Sequence, residues 1–212
     1  MEELRLLKRS EYVGVDKHDP LRFYFVPVVG RLYRRRVEEC LAVCRGGGRI
    51  LEVGFGSGVT FLNLAARYGE IHGLDMNASV AEVDTTFRRH GIQPHLQNGS
   101  ILAMPYPDDY FDTVLCISIL EHLHPKELVQ AFSEIRRVVK PGGQLVYGVP
   151  CETRFMRFCF LLLGYNITKH HFSSEQDVAR AAGSCLKKTS IARLPSLVPG
   201  TGYVYEIGHF TK

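Results

Sequence analysis

The sequence predicts an α/β fold: a mostly parallel seven-stranded sheet with helices on both faces, finished at one edge by an antiparallel strand pair. Three observations predict it. From Arg49 to Pro150, short apolar runs alternate with amphipathic segments, and parallel strands need crossover connections of that kind. In ILEVGFGSGVT, residues 50–60, Gly54, Gly56 and Gly58 follow an apolar run at every second position, where a strand hands over to a helix. Near the carboxyl end, LKKTSIARL and YVYEIGHF read as two strands joined only by a Pro/Gly-rich loop.

Each element has its own reason. Residues 1–48 form a cap segment, with the aromatic stretch LRFYFVPVVG followed by a helix over RLYRRRVEECLAVC. That helix turns Leu32, Val37, Leu41 and Val43 inward and stops at Gly46, Gly47 and Gly48. RILEVGF is the first strand, VTFLNLAARY a helix ended by Gly69, and EIHGLDM the second strand. A helix from about Ala78 to His90 ends at Gly91, and QPHLQNG is a weak third strand. DTVLCIS is a strong fourth strand. PKELVQAFSEIRRVVK is a long helix opened by Pro125 and stopped by Pro141-Gly142-Gly143, and QLVYGVP is the fifth strand. Beyond Pro150 the rhythm changes. Residues 151–165 read as an apolar helix or lid, and Ser173 with Gln176 as a capping box opening SEQDVARAA, which Gly183 ends.

Composition sets the bounds. The 212 residues are 45% hydrophobic and 23% charged, enough for one sizeable core and without repeats or low-complexity tracts. MEELRLLKRSEY lacks the apolar run of a signal peptide, and FMRFCFLLLGY at 155–165 is too short to span a bilayer. Six cysteines show no CxxC pair and no histidines at zinc-finger spacing, so no metal centre is expected. Their apolar settings imply reduced thiols and a cytoplasmic location. The net charge of +4 is uneven. Residues 1–48 carry 10 Lys/Arg against 7 Asp/Glu, residues 49–150 carry 8 against 11, and residues 151–212 carry 8 against 4.

The glycines sit where open α/β sheets bind ligands, and three neighbours turn a plain turn into a binding site. Glu52 stands two residues before the first glycine. Asp75 ends the second strand, where a carboxylate can accept from both hydroxyls of a ribose. Asn98-Gly99-Ser100 follows the third strand. A dinucleotide loop wants GxGxxG, yet position 59 is Val59, and GxxxxGK[ST] is absent, so a P-loop is excluded. An acidic Glu52 suits a ligand carrying an amino group and a sulfonium better than a pyrophosphate.

LEVGFGSG, GLDMN, NGSILAMPYPDDYFDTVLCISILEHL and RRVVKPGGQLVYGVP, in that order over about residues 45–150, resemble the class I S-adenosylmethionine-dependent methyltransferases. Within that family the likeness points to the small-molecule, ubiquinone/menaquinone-biosynthesis-like branch. The resemblance implies a Rossmann-like methyltransferase fold over 49–212, with 151–185 as an acceptor-side lid, and S-adenosylmethionine as cofactor. It implies Glu52, Gly54, Phe55, Gly56 and Gly58 along the methionine and sugar, Asp75 on the ribose, and Met76 beside the adenine. Ser100 and Ile101 would face the adenine, and Cys116 and Ile117 would lie beside the methionine. Ser100 departs from the family's usual Asp, keeping an acceptor but no charge.

For the acceptor, His122 in the EHL stretch and His171 in KHHFSSEQ are candidate bases, alongside His124 and His170. Tyr12 and Tyr24 are candidates to cover the cofactor. Arg31, Arg34, Arg35 and Arg36, with Phe155, Met156, Phe158, Phe160 and Leu161, point to a small, partly apolar acceptor, anionic or lipid-like, or to peripheral membrane contact. Simple packing of 155–165 on the sheet is the competing reading. No nucleic-acid partner is expected, since no NPPY-like tetrapeptide follows strand four and no RNA-binding module fits. Methylation of a protein or nucleic acid, and cofactor binding without catalysis, are the alternatives.

Overall fold

The protein is described by a computed structural model covering residues 3–13, 19–151, 171–196 and 200–212. The apolar segment 155–165, Cys159 and His170 lie outside the described residues. Seven strands make one sheet in the order β3-β2-β1-β4-β5-β7-β6. They are β1 Gly47–Val53, β2 Tyr68–Asp75, β3 His95–Asn98, β4 Phe111–Ile117, β5 Val139–Pro150, β6 Lys187–Pro195 and β7 Tyr203–Thr211. Strands β1 to β5 pair in parallel. β7 inserts antiparallel beside β5 and carries β6 on the edge, which matches the mostly parallel sheet with an antiparallel C-terminal pair.

The pleat divides the core. Ile50, Leu115 and Val146 point to one face, where they meet Val37 and Leu41 of α2 (Val29–Val43), Phe61 of the single-turn α3 (Phe61–Leu64) and Phe87 of α4 (Val80–Arg88). Their sequence neighbours Leu51, Val114 and Leu145 point to the other face, toward α5 (Pro125–Val138) and α6 (Glu175–Cys185). Because both faces are covered, the central strands read as continuous apolar runs.

Several boundaries differ from the sequence expectation. The helix predicted over VTFLNLAARY shrinks to α3, because β2 already begins at Tyr68, and a three-residue turn has to return the chain to the sheet. Pro141-Gly142-Gly143 does not end α5. The helix closes at Val138, and the Pro-Gly-Gly turn is absorbed into β5 as an irregularity between the Phe111 and Thr113 pairings. The cap of α6 is Ser174, whose hydroxyl accepts from the Asp177 amide at 3.3 Å. Ser173 Oγ instead donates to the Leu123 carbonyl at 2.7 Å, and Gly183 lies inside the helix. In the cap segment, α1 (Leu21–Tyr24) is one turn, and Leu4, Leu7, Tyr12, Leu21 and Tyr24 are buried in the same cluster as Ile50 and Phe61.

Candidate functional site

A cavity of about 440 Å³ opens at the carboxyl ends of β1, β2 and β4, roofed by the cap segment. Its floor is the turn after β1. Gly54 adopts φ of +73° and Gly56 of +50°, left-handed conformations that side chains resist. A Cβ on Gly54 would lie 2.2 Å from Ile119 Cγ2. Gly58, also at positive φ, has a different role: a Cβ there would strike the Phe87 and Phe61 rings, so it lets the turn pack on α3 and α4 and is not among the lining residues.

Asp75 holds this turn in place. One carboxylate oxygen accepts from the Gly56 amide at 2.9 Å, and the other from the Asn77 and Ala78 amides at 2.8 and 3.0 Å. The carboxylate expected to face a ribose therefore also fixes the loop. Glu52, Phe55, Met76 and Ile101 complete this side of the cavity. Met76 is 69% exposed at the rim, and the other three are buried. Thr60 Oγ1 donates a short hydrogen bond to Glu52. Burial pushes the Glu52 carboxyl up to about 8, with the Thr60 bond opposing and Asp75 adding to the rise. A carboxyl raised in this way disfavours a pyrophosphate less than its formal charge suggests.

Two expected site residues stand elsewhere. Cys116 is fully buried between Leu51, Val53 and Leu145 on the α5 side. The pleat that turns Ile117 into the cavity turns Cys116 away. Ser100 does not line the cavity either, although its neighbours Gly99 and Ile101 do. Its hydroxyl accepts from the Leu102 amide at 3.2 Å and shapes the turn after β3.

His122 lines the cavity beyond Ile117. His171 stands behind it, with ring centroids 5.3 Å apart, and is not itself a lining residue. Ligand-type atoms of Glu121, His122 and His171 lie within 4.8 Å of one another, a grouping that sequence spacing does not reveal. Of the two cap tyrosines, Tyr24 lines the cavity, whereas Tyr12 is a core residue whose hydroxyl accepts from the Leu7 amide at 3.2 Å.

Asp19 and Ser118 were not anticipated. Asp19 reaches down from the cap, where one oxygen accepts from the Ser57 amide at 2.8 Å and the other from Leu21 at 2.8 Å. Burial raises its carboxyl above the ordinary value, against those hydrogen bonds. The only sequence signal was Asp19-Pro20, a turn dipeptide ahead of a short helix. Ser118 leaves β4 at φ of +54°, its Oγ 2.8 Å from the Tyr205 hydroxyl, in a strained conformation typical of sites.

Residues 50–143 match the methyltransferase domain family. Among curated relatives, the chain is 31% identical over 107 residues to the uncharacterized methyltransferase YcgJ of Bacillus subtilis, covering 50% of this chain and 42% of that protein. It is 32% identical over 124 residues to the ubiquinone/menaquinone biosynthesis C-methyltransferase UbiE of Erwinia tasmaniensis, covering 56% and 48%. The chain thus spans about half the length of the curated relatives it matches. Among solved structures, geranyl diphosphate C-methyltransferase of Streptomyces coelicolor superposes with a TM-score of 0.70 at 16% identity, over 99% of this chain and 88% of that one. That likeness speaks to fold alone. Over residues 50–143 the chain is thus similar to methyltransferase domains, and the glycine turn and Asp75 at the carboxyl edge of the sheet fall within that stretch.

Proposed function

We propose that the protein is an S-adenosylmethionine-dependent methyltransferase acting on a small, partly apolar acceptor, anionic or lipid-like. The observation that carries this reading is the convergence of Gly54, Gly56, Asp75, Glu52 and Ile101 on one cavity. The residues fit the cofactor. Bare backbone at Gly54 and Gly56 admits close approach, Asp75 can accept from ribose hydroxyls beside the turn it fixes, and Met76 and Ile101 offer apolar surface to a base. Glu52 suits a cationic amino acid, since a nearby positive charge draws its carboxyl back to the ionised form. Held by these residues, the cofactor would supply an electrophilic methyl group for transfer to the acceptor.

The chain's own task is to align and to exclude water. The cap segment 1–48 closes the cavity over the catalytic domain 49–212, and in this reading 151–185 belongs to the acceptor side. His122, lining the cavity, is the nearer of the two candidate bases, with His171 positioning it. The UbiE match supports a quinone-like small acceptor over a macromolecule, at 32% identity over half the chain.

Calorimetric titration with S-adenosylhomocysteine and with NADH tests the cofactor. Heat with the first and none with the second is expected, and the reverse sinks the reading. Labelled S-adenosylmethionine incubated with a metabolite extract then separates the alternatives. Label in small molecules supports the proposal, label in protein or nucleic acid supports a macromolecular acceptor, and binding without transfer supports a non-catalytic role.

A further inference from the structure

The four arginines of α2 have separate fates. Arg31 is exposed, Arg34 Nε donates to the Tyr24 carbonyl at 3.1 Å, and Arg35 pairs with Glu39 at 3.5 Å. Only Arg36 turns into the cavity. Its guanidinium stacks over Tyr33, 4.1 Å from the ring centroid, with the Tyr205 and Tyr24 rings at 5.7 and 5.9 Å. The hydrogen bonds it makes are long and go to neutral hydroxyls: Nη1 to Ser118 Oγ at 3.4 Å and Nη2 to the Tyr24 hydroxyl at 3.5 Å. Nε is buried with no acceptor, and no carboxylate lies within 4.0 Å of the group among the described residues.

A guanidinium cannot shed its proton, so this half-buried side chain holds a fixed positive charge at the cavity wall. Burial pushes the Tyr24 and Tyr205 phenols up, so neither supplies a countercharge at physiological pH. Such a charge is costly unless a group beyond the described residues neutralises it, and the cavity that it faces has room for a ligand. Its position says what. Asp75, Met76 and Ile101 occupy the β2 side of the cavity. Arg36, Ser118 and Tyr24 lie across β1 on the β4 side, where His122 also faces in.

We propose that Arg36 is the anchor for an ionised oxygen of the methyl acceptor, and that the acceptor is therefore a planar oxyanion, a carboxylate, phenolate or enolate, rather than a neutral lipid. This rests on the methyltransferase reading of the cavity. Tyr24, Val37 and Ile117 line the cavity on this side and give a flat body an apolar wall, and the guanidinium fork gives the oxyanion paired donors.

Benzoate and benzamide have nearly the same shape and differ in charge, so they serve as probes. Each is titrated by ligand-observed NMR into wild-type protein, alone and saturated with S-adenosylhomocysteine. The loaded wild type is expected to favour benzoate by about tenfold or more. Arg36→Gln should erase that preference, and Arg36→Lys should keep only part of it. Equal binding of the two probes to wild type overturns the proposal, as does a preference that survives in Arg36→Gln. If Arg36→Gln does not fold, Arg36→Lys decides: a weakened preference supports the anchor and an unchanged one overturns it. A third result also overturns it. If the variant weakens S-adenosylhomocysteine while leaving S-methyl-5′-thioadenosine, which lacks the amino acid, unchanged, then Arg36 holds the cofactor's own carboxylate. Failure of wild type to bind S-adenosylhomocysteine would instead strike the underlying reading, and is seen separately.

Discussion

Glu52 carries two consequences that can be measured apart. Burial, with Asp75 adding to it and the Thr60 hydrogen bond opposing it, lifts its carboxyl from an ordinary 4.5 to about 8. A carboxyl that holds its proton more tightly folded than unfolded contributes stability that is complete below pH 4.5 and drains away as pH rises toward 8. The melting temperature of wild type should therefore fall relative to that of Glu52→Gln across that interval, and parallel curves would refute the assignment. The second consequence concerns the ligand. If a cationic amino acid settles beside Glu52, the carboxyl must ionise, so binding of S-adenosylhomocysteine near neutral pH should release a fraction of a proton. Calorimetry in buffers of different ionisation enthalpy reads that release directly. Glu52→Gln should abolish it, and a wild-type enthalpy independent of buffer would mean that Glu52 supports the Thr60 turn and nothing more.

At the level of elements, α6 separates two neighbouring serines that the sequence could not rank. Ser174 caps the helix with Asp177, whose carboxylate returns a bond from the Ser174 amide at 3.1 Å, whereas Ser173 bridges to the Leu123 carbonyl. Ser174→Ala should cost about 1 kcal/mol in denaturant unfolding, as cap losses do, with little change in cofactor affinity. Ser173→Ala releases the link between α6 and the turn bearing His122, so it should disturb the cavity more than its stability effect suggests. Equal behaviour of the two variants would contradict this division. The near-miss illustrates what was legible. Strand order of hydrophobicity, the glycine turn and Asp75 were readable because each is local: period, spacing and residue type fix them within a few positions. Cys116 lies off the cavity because a one-residue difference in pleat phase decides which side of β4 faces it, a phase that the sequence does not fix. Ser100 lies off the cavity, where its hydroxyl accepts within its own turn. Asp19 and the fate of Arg36 were hidden because contacts across 38 and 82 residues depend on how the cap folds over the sheet.

For the whole molecule, that cap is not a lid laid over a finished domain. Leu4, Leu7, Tyr12, Leu21 and Tyr24 share a core with Ile50, Phe61 and Phe87, and the Asn63 carbonyl oxygen accepts from the Arg5 amide at 2.9 Å. Burial of one large apolar side chain contributes about 1.5–3 kcal/mol, and five of them rival the roughly 5–15 kcal/mol that holds a typical domain folded. Asp19, on the same segment, is also hydrogen-bonded to the cavity turn through the Ser57 amide. Cap and cavity should therefore be lost together. Deletion of residues 1–28 should abolish cooperative thermal unfolding in circular dichroism, and Asp19→Asn alone should leave the fold intact while altering affinity for S-adenosylhomocysteine. A truncated chain that still melts cooperatively, within a few degrees of the full chain, would show that the sheet and its two helical layers are self-sufficient. In that case the cap would be an accessory to acceptor binding, and Arg36 would have to be held by α2 and Tyr205 without help from Tyr24.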